Sequence, residues 1–307
     1  MKILVFGSAG LVGTSLLRNL SNIVINSEVI PSNRDDTNLF SFSETLNKIE
    51  STNPDIVINA AAKVGGIKAN NTQRSEFILQ NLKINMNILE SLIPFSNIKF
   101  INLGSSCIYP LGAKVPIKED SLLTGRLEPT NSPYAMAKLT GIEIGDAISK
   151  QFGHKIINLM PTNLYGPNDN FSEENSHVIP GLIHRMHNAK KNGTDVFEVW
   201  GTGKPLREFM HVDDLTRAIG FILNNNLFSE QVLNVGSNEE ISIENLVLKI
   251  KNIINFEGRI IFNSDMPDGN PRKLLDSGKL LSKGWEPKIQ LSEGLSSVYD
   301  WYLNNKI

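Results

Sequence analysis

Short apolar runs alternate with longer amphipathic ones through the first half of the chain. Residues 3–6, 28–30, 56–59, 99–103 and 156–160 are brief and rich in Ile, Val and Phe, as strands buried on both faces are. Between them, residues 11–20, 42–50, 75–93 and 134–152 place apolar positions at helical spacing. Strands alternating with helices predict a parallel sheet covered on both faces. Such sheets bind ligands beyond the carboxyl ends of their strands. Residues just after strands are therefore the ones to read for chemistry.

The pattern loosens after residue 160. Residues 161–167 form a turn-rich connection and 168–176 a polar loop. The spacing predicts a helix over 178–190 and short strands at 197–200 and 207–211, around a turn at Gly201, Thr202 and Gly203. A helix follows over 213–223, with Asp213 and Asp214 suited to its positive end. A strand at 232–235 and a helix at 243–254 come next. A looped stretch with Pro267, Gly269, Pro271 and Pro287 precedes a last helix over 291–303. The expected fold class is α/β, a doubly wound parallel sheet with a smaller α/β substrate-binding lobe. The sheet domain takes residues 1–165 and a return segment near 212–236; the lobe takes 166–211 and 237–307.

Composition narrows the function. The chain has 307 residues, 30 Lys and Arg against 32 Asp and Glu, and a net charge of −2. A general nucleic-acid or anionic-membrane binder carries a basic excess, so neither partner is expected. No apolar run approaches the ~18–20 residues of a membrane span, and the run at 3–6 is too short for a signal peptide. The single cysteine, Cys107, excludes an intrachain disulfide and fits a reducing compartment. A cytoplasmic location is the expectation.

The first strand runs into Gly7, Ser8, Ala9, Gly10, Leu11, Val12 and Gly13. In a Rossmann-type nucleotide-binding unit, glycines at such positions allow a tight turn, close approach of a pyrophosphate, and close packing of helix on strand. The helix N-terminus then offers N–H groups and a positive dipole end to the phosphates. The other reading is a plain strand-to-helix turn. At the end of the second strand, Arg34 suits a ribose 2′-phosphate, which points to NADP(H). Asp35 or Asp36 serves NAD instead if that strand ends later.

Tyr134 and Lys138 stand at i and i+4, on one helical face. A nearby ammonium is expected to lower the phenol from about 10 and make it a usable proton donor or acceptor. Tyr302 and Lys306 share the spacing at the chain's tip, so spacing alone says little. Ser105, just after the strand at 99–103, supplies a hydroxyl at the ligand edge and completes the set.

With this set, seven stretches carry a resemblance: 60–67 (AAAKVGGI), 103–110 (LGSSCIYP), 127–131 (LEPTN), 160–167 (MPTNLYGP), 175–178 (NSHV), 207–214 (REFMHVDD) and 267–269 (PDG). The chain resembles the extended short-chain dehydrogenases/reductases of nucleotide sugars, and within them the GDP-L-fucose synthase family. The resemblance implies Ser105, Tyr134 and Lys138 as a triad and Cys107 with His177 as an epimerisation pair. It implies cofactor contacts at Gly7 to Gly13, Ala60, Ala61, Ala62, Lys138, Pro161, Thr162, Asn163, Leu164 and His177. Arg185, Trp200, Arg207 and Asp268 match its contacts to a GDP-keto-sugar. A homodimer through the helices at 75–93 and 134–152 is implied as well. One departure is Ala9, where the family often has an arginine supporting the NADP phosphate; Arg34 then carries that preference.

The implied activity is 3,5-epimerisation and NADPH-dependent 4-reduction of GDP-4-keto-6-deoxymannose. A 4-keto group acidifies C3–H and C5–H, and inverting both centres needs proton removal on one face and return on the other. A thiol and an imidazole, with reference values of about 8.5 and about 6.5, both exchange protons near pH 7. Ser105 and Tyr134 then hold the enolate oxygen.

Other readings of these residues stay open. Cys107 can be a small buried hydrophobe and His177 a helix cap. His177, His184 and His187 lack a completing cysteine or carboxylate, so no metal is expected. Arg185 and Arg207 can be salt-bridge partners, and Trp200 core packing. A GDP-sugar 4-reductase with little epimerisation, on another 6-deoxy sugar or a heptose, is the main alternative function. A dehydratase usually carries an Asp-Glu pair where Ser106 and Cys107 stand. A redox-sensing binding protein commonly loses the Tyr or Lys kept here.

Overall fold

Residues 1–173, 176–266 and 268–306 are described by a computed structural model of the chain. Asn175 and Pro267, from two of the stretches above, lie outside the described residues. The first half builds β1 (Lys2–Phe6), α1 (Leu11–Ile23), β2 (Glu28–Ser32), α2 (Phe42–Thr52) and β3 (Ile56–Asn59). It continues with α3 (Ile67–Thr72), α4 (Arg74–Leu92), β4 (Lys99–Leu103), α5 (Ser132–Phe152), β5 (Ile156–Pro161) and β6 (Asn163–Tyr165). Then come α6 (Val178–Lys191), β7 (Val196–Trp200), β8 (Leu206–His211), α7 (Val212–Asn224) and β9 (Val232–Val235). The chain closes with β10 (Glu240–Ser242), α8 (Ile243–Ile254), β11 (Arg259–Asn263), β12 (Arg272–Lys273), α9 (Gly278–Ser282) and α10 (Leu291–Asn305).

Six strands form one parallel sheet in the order β2-β1-β3-β4-β5-β9. Successive residues of β1 feed opposite cores, as the period of two requires. Ile3 and Val5 pack with Leu16 and Leu20 of α1 and Leu215 and Ile219 of α7. Leu4 and Phe6 pack with Ile49 of α2, Ile84 and Ile88 of α4, and Ile148 of α5. This is a Rossmann-type, doubly wound arrangement. Its order reverses between β1 and β3, so a ligand crevice opens beyond Phe6 and Asn59. Among the described residues no helix is long and apolar enough to cross a membrane.

A second core joins α6, α8 and α10 to the strands beside them, through Ile183, Met186, Phe197, Val247, Val298 and Tyr302. β8 is the hub of this lobe: β10, β12 and β6 all pair with it, and β7 pairs separately with β11. Buried Glu208 of β8 accepts from the N–H groups of Asn238 (2.8 Å) and Leu275 (3.0 Å). Its burial pushes the carboxyl above its ordinary value, and the backbone donors are what make the position tolerable.

Helix limits follow local chemistry. Ser41 caps α2 and Ser242 caps α8, each accepting from the backbone three residues on. Pro133 opens α5, and Gly153 ends it in the left-handed region at φ +76°. The sequence did not anticipate α3, β6, β10, β11, β12 or α9. Each has six residues or fewer, too short for a period to register, and tertiary contacts hold it in place.

Candidate active site

The glycine loop sits at the reversal point. Gly7 has φ +77°, and a Cβ there would lie 2.5 Å from Ala61 N and 2.6 Å from Ala60 C. A Cβ on Gly13 would meet Gly7 O at 2.2 Å. Both positions exclude any side chain. Gly10 differs, since its Cβ would meet only Gly7 O, at 3.5 Å; it faces open space. It is also the N-cap of α1, with no side-chain capping bond and no acid in the first turn. The positive end of α1 is thus uncompensated beside an open glycine, next to Ala60, Ala61 and Ala62 at the end of β3. That cradle fits a dinucleotide diphosphate.

β2 ends at Ser32, and Arg34 projects from the exposed turn after it. Asp36 is committed to that turn, accepting from Asn33 N at 2.9 Å, while Asn33 Oδ1 accepts from Asp35 N and Asp36 N. The arginine therefore stands at the strand end with its guanidinium in solvent. Across the sheet, Pro161 ends β5 and leads through Thr162 to Asn163 and Leu164 of β6. Thr162 Oγ1 (3.2 Å) and Asn163 Nδ2 (2.7 Å) both donate to Glu208 O, tying this turn to the lobe.

α5 brings Tyr134 and Lys138 to the end of β4. Lys138 is 2% exposed, and its Nζ donates to Leu103 O at 2.6 Å. Burial lowers its ammonium to about 8. Ser105 follows β4; its Oγ accepts from Cys107 N at 3.2 Å and is hydrogen-bonded to the Tyr134 hydroxyl. The expected lowering of Tyr134 by Lys138 is not what the structure gives. Burial drives the phenol upward, Cys107 adds to the rise, and the Ser105 bond only partly offsets it. The ammonium lies 5.9 Å from the ring centroid with its bond aimed at Leu103. Tyr134 is accordingly a neutral phenol, a proton donor rather than a ready base.

Cys107 is partly exposed rather than sealed in a core. Its Sγ accepts from Lys273 Nζ at 3.7 Å, a contact spanning both parts of the fold. Lys273 was not legible in the sequence. It lies beyond the 267–269 stretch and in no motif of its own, and only the pairing of β12 with β8 delivers it. His177 occupies the N-cap position of α6 but makes no side-chain capping bond, so the capping reading fails. The residue as a whole is exposed, while the atoms packed around the imidazole desolvate it and lower it, favouring the neutral ring. The backbone of the 60–67 loop reaches this point, since a Cβ on Gly66 would meet Ser176 O at 2.8 Å. His184 and His187 instead bind the hydroxyls of Tyr302 (2.9 Å) and Tyr299 (3.1 Å). No metal-binding cluster occurs among the described residues.

Arg185 of α6 lies over the rings of Phe197 (5.0 Å) and Trp200 (5.9 Å) and donates to Glu198 O. With Glu173, His184 and Asn188 it lines a cavity of about 270 Å³. Trp200 is 56% exposed, which excludes simple core packing and leaves an indole face beside a guanidinium. Arg207 donates to Leu206 O (2.9 Å) and Asp268 O (3.4 Å). Burial lowers both guanidinium groups, so an anion that meets them replaces lost hydration. Asp268 is otherwise engaged: its oxygens accept from Thr202 N (2.6 Å) and Thr202 Oγ1 (2.8 Å). Its carboxylate fastens the Gly201–Gly203 turn, and its backbone carbonyl steadies Arg207.

The sequence model of the NAD dependent epimerase/dehydratase family matches residues 3–236. GDP-L-fucose synthase 1 of Arabidopsis thaliana is 48% identical over 304 residues, covering 99% of this chain and 94% of the relative. Among solved structures, a GDP-6-OMe-4-keto-L-xylo-heptose reductase from C. jejuni superposes with a TM-score of 0.91 at 30% identity, covering 99% of this chain and 97% of that one. A GDP-L-fucose synthetase from Naegleria fowleri bound to NADP gives a TM-score of 0.88 at 29% identity, covering 99% and 94%.

Proposed function

The chain belongs to the NAD dependent epimerase/dehydratase family, and on that premise we propose that it is an NADP-dependent epimerase/reductase of GDP-linked keto-sugars. The finer reading is 3,5-epimerisation and 4-reduction of GDP-4-keto-6-deoxymannose to GDP-L-fucose. The observation that carries it is the placement of a thiol beside the reductase hydroxyls. Ser105 Oγ touches both Tyr134 and the backbone N–H of Cys107, and Lys273 holds the sulfur from the other side. Reduction at C4 alone requires no proton exchange at C3 or C5, so the thiol counts against a plain 4-reductase.

The glycine loop, the Ala60–Ala62 strand end and Arg34 would hold NADP(H), which when bound supplies hydride to the sugar's C4. Ser105 and Tyr134 donate hydrogen bonds to the C4 oxygen, stabilising the enolate that forms when C3 or C5 loses its proton. Cys107 and neutral His177 exchange those protons, one removing and one returning on opposite faces. Tyr134, kept protonated by burial, delivers the last proton to the C4 oxygen on reduction. Arg185 and Arg207 suit the diphosphate, with the exposed Trp200 indole as an aromatic surface.

We further infer that two copies pair through α4 and α5, whose surfaces carry exposed Leu79, Met86 and Met136, and that the enzyme works where NADPH is abundant, in the cytoplasm. The function is tested by supplying GDP-4-keto-6-deoxymannose and NADPH and identifying the product by NMR. GDP-L-fucose supports the full reading. A reduced GDP-sugar unchanged at C3 and C5 contradicts the epimerase half and leaves a 4-reductase. No turnover contradicts both.

A further inference from the structure

A row of buried asparagines crosses the middle of the parallel sheet. Asn59, Asn102 and Asn158 occupy matched positions on β3, β4 and β5, each almost wholly inaccessible. Asn102 Nδ2 donates to Asn158 Oδ1 at 2.9 Å, and Asn59 Nδ2 lies 3.4 Å from Asn102 Oδ1. Asn59 Nδ2 also donates to Asn85 Oδ1 on α4 at 3.2 Å. At its far end Asn158 donates to Gln231 O (3.2 Å), and at its near end Asn85 Nδ2 donates to Ala137 O (3.2 Å).

A buried amide is costly unless bonded, and a leucine of similar size meets the needs of packing alone. The near end of this chain touches three parts of the site. Ala137 immediately precedes Lys138 on α5. Asn102 precedes Leu103, whose carbonyl takes the Lys138 ammonium, and the same segment continues to Ser105. Asn59 Oδ1 accepts from Ala61 N at 3.0 Å, beside Gly7. The approach of α4 to α5 is cut to fit, since a Cβ on Gly141 would lie 2.9 Å from Asn85 Nδ2.

We propose that Asn85, backed by Asn59 and Asn102, is a positioning residue that fixes the axial register of α5, and with it Tyr134 and Lys138, against the strand end carrying Ser105. Apolar side chains between two helices tolerate sliding; a directional bond to one helix carbonyl does not. The proposal rests on reading Tyr134 and Lys138 as the reducing pair.

The test compares Asn85→Leu with Thr216→Val, which removes a buried hydroxyl contact to Ser15 between α7 and α1. Well below both melting temperatures, Asn85→Leu is expected to lower kcat for the keto-sugar by about 10- to 100-fold, the scale of a roughly 1 Å misplacement, with KM little changed. Thr216→Val keeps kcat. A second readout is the titration of Lys138 followed by 13C NMR at Cε, centred near the lowered value of about 8 in the native chain. Asn85→Leu should move that midpoint by about half a pH unit or more, because the Leu103 contact loosens. Gly141→Ala, which crowds the Asn85 amide without removing it, should act in the same direction and serves if Asn85→Leu does not fold. A loss of kcat that tracks melting temperature in all variants, or a Lys138 midpoint that stays put, overturns the positioning role. If the native enzyme does not turn over the sugar, the functional reading fails, and the Lys138 titration still decides this one.

Discussion

At the scale of single residues, the chain's one thiol is held at both ends. Ser105 Oγ takes the Cys107 N–H, and Lys273 Nζ reaches its sulfur at 3.7 Å. The ammonium offers a donor and a counter-charge as the sulfur gives up or regains a proton. Lys273→Met should slow solvent-proton exchange at the substrate's acidic carbons by about 10- to 100-fold, the range of one general acid–base contribution, and Lys273→Arg should restore part of it. Exchange followed by NMR at unchanged rate in Lys273→Met would show that the contact has no chemical role. Lys138 sets a pH dependence. Burial lowers its ammonium to about 8, so it is charged below that pH and neutral above it. The kcat for reduction should therefore fall as pH rises through about 8, and a pH–rate profile flat to pH 10 contradicts the assignment. The sequence placed Tyr134 and Lys138 together but misjudged the phenol, because spacing reports neighbours and says nothing of burial.

At the scale of elements, the loop between β1 and α1 separates two roles for glycine. A Cβ on Gly13 strikes Gly7 O at 2.2 Å, whereas one on Gly10 meets it at an ordinary 3.5 Å. Gly13→Ala should cost stability, on the order of 1–3 kcal/mol as overpacking does, read as a lower melting temperature. Gly10→Ala should melt near the native temperature yet weaken NADPH binding about tenfold or more, roughly 1.4 kcal/mol, read by fluorescence titration. Equal effects of the two on both measurements would undo the distinction. The same loop was legible in the sequence, as were the strands of the parallel sheet, because doubly covered strands are uninterrupted apolar runs. β12 was not: two residues, Arg272 and Lys273, become a strand only by lying against Leu206 and Arg207. The residue missed in the site sits on the element the sequence could not announce.

At the scale of the whole molecule, the proposed reaction draws on groups from both parts of the fold: Ser105, Cys107, Tyr134 and Lys138 from the sheet, and His177, Arg207 and Lys273 from the lobe. Glu208 ties the turn after β5, the loop after β9 and the segment after β12 into one joint. The proposed dimer leaves this joint untouched. Leu79→Glu with Met86→Glu should convert a dimer to a monomer in sedimentation experiments while the chain stays folded, and an unchanged sedimentation coefficient places the contact elsewhere. The central claim is that one site both exchanges protons at two carbons and reduces the carbon between them. Turnover of GDP-4-keto-6-deoxymannose with NADPH in deuterated water, with the product read by mass and NMR, tests it most directly. Deuterium at both C3 and C5 of GDP-L-fucose is the predicted result; a reduced product with no solvent deuterium at either carbon contradicts it.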